Sequence, residues 1–314
     1  MASGSKAVIY ALAANAGIAL TKTAAALITG STSLAAEAIH STADCGNQIL
    51  LLIGMRGAKA PASDLHPLGY GKVSYFWSFL VALLLFTVGG LFSVYEGAHK
   101  LLKPEALHHP WIAVGVLGIG VILESVSLYG AMREIRGRRG KRSLYRWFRD
   151  TRQSELMVVV GEDIAALLGL AIALVFVALT LITGNPIFDA VGSVVIGVLL
   201  IVIATMLGVE IKSLIIGESA DEDFRARLIQ FLAIKYPNIE LMNLISQHHG
   251  ADVVLAIKAR FRRWPKTSLQ LVDAINETEA AIRAEFSEVR FIFFEPDVVT
   301  EQKIRRAAKG RKQR

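Results

Sequence analysis

The run Ala36-Glu37-Ala38-Ile39-His40-Ser41-Thr42-Ala43-Asp44 carries three ionisable side chains into an apolar stretch covering residues 34–57. Near the middle of a membrane helix such a group costs at least about 2.5–3.5 kcal/mol on insertion scales, so it needs a partner or a task. His40 and Asp44 are four residues apart and share one helix face; Glu37 lies near that face and Asn47 continues it. Two bland arrangements compete: His40 and Asp44 bonding only to each other, and Glu37 snorkelling near a helix end. Further carboxylates inside other apolar stretches, Glu124 and the adjacent Glu162 and Asp163, weigh against both, because each would need its own partner. Imidazole with carboxylates suits a borderline divalent ion such as Zn²⁺ in a tetrahedral shell. Ligands from two helices would hold that ion between them, near mid-membrane.

The surroundings of this run are those of a membrane protein. Of 314 residues, 53% are apolar and 19% charged, against roughly a quarter charged in a typical soluble domain. That excludes disorder and argues against an ordinary cytosolic enzyme. Apolar stretches long enough to span a bilayer run roughly over 7–29, 34–57, 75–98, 111–132, 156–182 and 186–210, which predicts six transmembrane helices. The first is too long for a signal-peptide core and contains Asn15 and Lys22, both read as structural. Residues 30–33 turn the first pair of spans and Gly184-Asn185-Pro186 the last. Cys45 is the single cysteine, so an internal disulfide and a thiolate cluster are excluded; it points about 100° away from Asp44, toward core or lipid. Tyr95, Glu96 and His99 read as interfacial.

Charge placement orients the chain. Arginines and lysines crowd residues 133–152, between the fourth and fifth spans, and again residues 303–314. Two crossings separate these regions, so the positive-inside rule sets both, and the N-terminus, on the cytoplasmic side. The stretch 133–149 reads as an anchor to anionic lipid heads, with Trp147 and Phe148 lying on the surface. The formal charge of +7 does not imply nucleic acid, since the basic tail has no aromatic residue on which bases could stack.

At about residue 217 the composition changes. Residues 221–236 predict a helix on Phe224, Leu228, Phe231 and Leu232, and residues 240–247 a strand. In 252–261 Val253, Leu255, Ile257, Ala259 and Phe261 alternate with Ala256, Lys258 and Arg260, a clear strand. Residues 267–286 predict a helix on Leu271, Ile275 and Ile282, and 289–294 a last strand stopped by Pro296. The order α-β-β-α-β suits helices on one face of a three-stranded sheet, a layer small enough to gain from dimerisation. The expected division is 1–216 membrane domain, 217–300 cytoplasmic domain and 301–314 basic tail.

Six spans, His-x-x-x-Asp in the second, the α-β-β-α-β tail and the loop His66-Pro67-Leu68-Gly69-Tyr70-Gly71-Lys72 together resemble the cation diffusion facilitators, from about residue 7 to 298. The resemblance implies a homodimeric metal/proton antiporter that removes Zn²⁺ or a related ion from the cytoplasm, with a ferredoxin-like cytoplasmic domain joining the dimer. It implies metal ligands at His40 and Asp44 on the second span and at Asp163 on the fifth; the family's fourth ligand position falls on Val159, which has no donor atom. Glu162, as a ligand or holding a ligating water, Glu37 and water alone are the substitutes. Because a regular helix turns about 100° per residue, Glu162 would need local distortion, eased by Gly161, to share the direction of Asp163.

The family's accessory sites are thin. In the loop only His66 is kept, with Ser63 and Tyr70 at the other two places. In the cytoplasmic domain the usual histidines fall on Met242, Lys258 and Phe293, leaving Glu295, while His248 and His249 fall in a turn. The reading is therefore a transporter, not an enzyme, with metal ions and protons as substrates, the bilayer and a second copy as partners, and no cofactor. A bacterial inner membrane is the expected location, since no Arg-rich transit peptide is seen. A dimeric non-transporting sensor or scaffold, and a metal-dependent membrane enzyme, are the alternatives.

Overall fold

The computed structural model describes residues 5–29, 32–103, 110–140 and 143–298, and for Glu37 and His40 the backbone alone. The basic tail 301–314 lies outside the described residues. The first unit comprises α1 (Ser5–Thr29), α2 (Thr32–Gly57), α3 (Val73–Leu84), a π-helical turn (Leu85–Leu91), α4 (Phe92–Leu102), α5 (Pro110–Arg139), α6 (Leu144–Asp150), α7 (Ser154–Thr183) and α8 (Ile187–Ile216). Among the described residues five segments are long and apolar enough to cross a membrane: Ser5–Ile28, Val73–Leu102, Val114–Gly137, Ser154–Thr183 and Ile187–Ile216. The sixth long helix, α2, has 26 residues, about 39 Å at 1.5 Å per residue. Its polar stripe lowers its mean hydropathy, and it packs along α1, α3 and α7 within the bundle. This is a helical membrane domain with a small α+β domain after it.

The core of the bundle is built where apolar faces meet. Val8, Ala11, Leu51, Val81, Ile135, Leu156, Val160, Leu207 and Ile211 are buried together. Where two helices must approach most closely, glycines stand at the contact: a side chain on Gly97 would lie 2.8 Å from the Val194 backbone nitrogen, and one on Gly197 2.8 Å from the Gly90 carbonyl.

Several expectations change at the ends of elements. Thr32 and Ser33, expected in a turn, belong to α2. The third span is longer than 75–98 and contains the π turn, which keeps a helical path while shifting the face that follows it. Trp147 does not lie on a lipid surface: it is 4% exposed and packs with Phe148 against the bundle core, while Tyr145 faces out. Ser143 caps this short helix, its hydroxyl accepting from the Arg146 amide. The indole therefore acts as an apolar plug, the larger hydrophobic gain, and leaves the arginines on the outer face.

The second unit contains α9 (Glu222–Lys235), β1 (Ile239–His249), β2 (Asp252–Phe261), α10 (Ser268–Glu285) and β3 (Val289–Pro296). β1 and β2 are antiparallel, β2 and β3 parallel, in the order β1-β2-β3. Asp221 and Thr267 cap the two helices through their side-chain oxygens. On β2 every second residue from Val253 to Phe261 is buried, under Phe224, Leu228 and Leu232 of α9 and Ile282 of α10. Pro296 is the last residue of β3 rather than the residue beyond it. His248 and His249 are strand residues opposite Val253 and Asp252, so the turn is Gly250-Ala251.

Residues 62–71, the link between α2 and α3, group with this unit. The His249 ring nitrogen Nε2 lies 3.1 Å from the Gly69 carbonyl. Gly71 meets the strand turn backbone to backbone: a Cβ on Gly250 would lie 2.7 Å from the Gly71 Cα.

Candidate metal centre

The polar stripe of α2 turns toward α1 and α7. Asp44, Asn47 and Gln48 fall at i, i+3 and i+4, so they stack on one face. Asn47 and Gln48 are buried and each donates an amide hydrogen to Glu162, at 3.0 Å to Oε1 and 2.8 Å to Oε2. Asn15 of α1 donates to Gln48 Oε1 at 3.1 Å, which fixes that amide's orientation. An amide chain thus runs from α1 through α2 to α7 and satisfies both carboxylate oxygens of Glu162. Asp163 is 3% exposed, and its Oδ2 accepts a 2.9 Å hydrogen bond from the buried Ser127 hydroxyl of α5.

A cavity of about 220 Å³ lies between these helices. Asp44, Glu124, Glu162 and Asp163 line it, contributed by α2, α5 and α7, together with Asn15 and Lys22 of α1. Its remaining wall uses small residues of α5 and α7, Gly120, Ala166, Gly169 and Ala173, which create the room. The lining lies in the first half of α5, Val116 to Glu124, and along the middle of α7, Glu162 to Ala173. The start of α7 is closed: Leu156 to Val160 are at most 1% exposed, packed with Tyr75, Leu207 and Ile211. Apolar side chains thus seal the bundle on the side of the cavity where α7 begins.

Three of the expected ligand residues, Asp44, Glu162 and Asp163, therefore line one cavity. His40 lies on the same helix, with its side chain outside the described residues. α7 is one unbroken helix over Ser154–Thr183, and Glu162 reaches the cavity beside Asp163 without unwinding at Gly161. Val159 is fully buried in the apolar cluster. Among the described residues no three His, Cys, Asp or Glu side chains already converge on one point. Two residues read as structural, Asn15 and Lys22, belong to the cavity wall; their signal was polarity on the α1 face three and four residues from Ile18. Ser127 was not singled out, although it stands one turn after Glu124.

The accessory positions have other occupations. The Ser63 hydroxyl and the Tyr70 phenol are 3.1 Å apart, and the His66 ring rests against Tyr70. A hydroxyl pair thus closes the loop at two of the positions where ligands were expected. In the sheet, the Lys258 ammonium lies 2.9 Å from Glu295 and 2.8 Å from Asp297. The hydrogen bonds that the ammonium donates to these two carboxylates, Asp297 first, hold the lysine above its ordinary range. A lysine that stays protonated there repels a divalent cation.

A model of the cation efflux transmembrane domain matches residues 8–216. The chain is 34% identical to the mitochondrial proton-coupled zinc antiporter SLC30A9 of Xenopus laevis over 229 residues, covering 72% of this chain and 41% of that protein. It is 32% identical to the same-named protein of Homo sapiens, over 72% of this chain and 40% of that one. To metal tolerance protein C4 of Arabidopsis thaliana it is 31% identical, over 63% of this chain and 44% of the relative. The matched part thus spans less than half the length of each of these relatives.

Proposed function

Since the chain belongs to the cation efflux, or cation diffusion facilitator, family, whose members transport cations rather than catalyse reactions, we propose that it exchanges a divalent metal ion, zinc first, for protons across a membrane. The observation that carries this reading is the cavity itself. Carboxylates from three membrane helices line it against the single ammonium of Lys22 among the described lining residues. Four such groups cannot all remain ionised in a low-dielectric bundle without a cation or protons among them. Metal and protons therefore compete for the same oxygens, which is the coupling an antiporter needs.

In this mechanism His40, Asp44 and Asp163 bind the ion directly. Glu162, oriented by Asn47 and Gln48, acts on it through a water. Imidazole titrates near neutrality, so His40 exchanges metal for a proton at modest cost. With the basic α5–α6 region on the cytoplasmic side, the apolar seal at the start of α7 faces the cytoplasm. Rocking of the helices then exposes the cavity to each side in turn. Both termini are cytoplasmic in this orientation, and a bacterial inner membrane is the proposed location.

The working unit in this reading is a homodimer. Ile245, Ala256 and Phe293 align across the three strands, and Ile245 and Phe293 are 59% and 58% exposed. A second copy covering this row would remove it from water. Zinc flux in proteoliposomes with an imposed pH gradient tests the whole proposal. Gradient-driven zinc movement with opposite proton movement is expected; zinc movement indifferent to the gradient would refute the exchange.

A further inference from the structure

We propose, resting on the cargo-site reading above, that Glu124 of α5 supplies the oxygen that completes the ion's shell. The corner opposite the α2 ligands cannot come from Val159, which is fully buried and has no donor atom. Nor is Glu162 well suited to fill it, because each of its oxygens already accepts an amide hydrogen. Glu124 differs in its hydrogen bonding: it is 7% exposed, lines the cavity, and makes no hydrogen bond among the described residues. A buried carboxylate in that state is expensive, and one lysine, Lys22, facing four carboxylates in the cavity offsets only part of the cost, so a further cation is favoured beside it.

The position of Glu124 relative to Asp163 follows from its own helix. Ser127 stands one turn on, and its hydroxyl is 2.9 Å from Asp163 Oδ2. Residues three apart on a helix have Cβ atoms about 5–6 Å apart on one face, so the face of α5 that meets Asp163 is the face that carries Glu124. The longer glutamate side chain covers that offset. A shell of one imidazole and three carboxylates also accepts a hard ion such as Mn²⁺ more readily than a nitrogen-rich shell would.

The test uses the full chain in lipid nanodiscs, titrated with Zn²⁺ and, for its visible spectrum, Co²⁺. Glu124→Gln is expected to weaken Zn²⁺ binding by about 100-fold or more and to change the Co²⁺ band, whereas Glu162→Gln, one layer removed, weakens it about tenfold and leaves the band in place. Glu124→Asp should recover part of the loss. If Glu124→Gln does not insert, Glu124→His keeps a donor at the corner, and binding should survive with a shifted Co²⁺ band. A wild-type affinity and band in either Glu124 variant, with binding lost in Asp163→Asn, overturns the assignment and leaves the cargo site standing. Wild-type binding in Asp163→Asn overturns the cargo site, and this inference with it.

Discussion

The Ser127 hydroxyl donates a 2.9 Å hydrogen bond to Asp163 Oδ2, tying α5 to α7 inside the bundle. The bond occupies one oxygen of a carboxylate that lines the cavity, and Ser127 itself is buried, so no water replaces it freely. Ser127→Ala should lower zinc affinity about 10- to 100-fold, the usual cost of losing a group that orients a metal ligand. Ser127→Thr, which keeps the hydroxyl, should stay near wild type. Titration of the two purified variants decides it, and equal affinity for Ser127→Ala and wild type would remove the orienting role.

His40→Ala and Asp44→Ala should each abolish zinc efflux while the protein still inserts. In the proposed reading both side chains bind the dehydrated ion, and Asp44 lines the cavity outside the apolar cluster that holds the bundle. Flux in proteoliposomes, normalised to inserted protein, is the measurement; wild-type flux in Asp44→Ala would sink the ligand assignment.

Ile245→Asp and Phe293→Asp place charges in the exposed row on the open face of the sheet. The helices cover the other face, so the fold itself should tolerate both changes, with shifts within about 0.5 kcal/mol as is usual at surface positions. Light scattering on the detergent-solubilised protein should show the double variant as a monomer. A dimer of unchanged mass would mean that the copies join elsewhere.

What was legible in the sequence was periodicity. The alternation from Val253 to Phe261 marked a strand and its buried face, and the long apolar runs marked the helices, although α5 and α8 continue to Arg139 and Ile216, past the expected ends at 132 and 210. What was not legible was which partner each face meets. Trp147 sits among arginines, and composition alone allowed it to lie on lipid; only the packed bundle shows a hole that it fills. Asn15 and Lys22 looked like isolated polar residues because their partners, Gln48 and the cavity, are remote in sequence. The loop 62–71 lies between two membrane helices in sequence, yet it packs against the turn after β1, through two glycines, Gly71 and Gly250, that no local pattern pairs.

That glycine contact makes its own prediction. Gly250 has φ of 70°, in the left-handed region, and its α-carbon faces the Gly71 backbone at a distance no side chain tolerates. Gly250→Ala therefore meets two penalties, about 1 kcal/mol for the backbone conformation and more for the clash. The loop must lift off the strand turn, and the His249–Gly69 bond goes with it. Faster hydrogen exchange over residues 62–71, with the exchange of α7 unchanged, is the expected result. Unaltered exchange in the loop would mean that the contact is not holding it.

Val159 marks the limit of what a single substitution can restore. It stands one turn before Asp163, so Val159→His would recreate a pair of potential ligands four residues apart. Yet Val159 is fully buried in the apolar cluster that closes one end of the bundle. An imidazole there must push aside close-packed neighbours and bury ring nitrogens, costing about 1–3 kcal/mol for each polar group left without a partner. Val159→His should therefore lower the thermal midpoint and open the sealed end, without raising zinc affinity in a Glu124→Gln background. A variant that melts like wild type and regains tight binding would show that the corner beside Asp163 is accessible from Val159 after all.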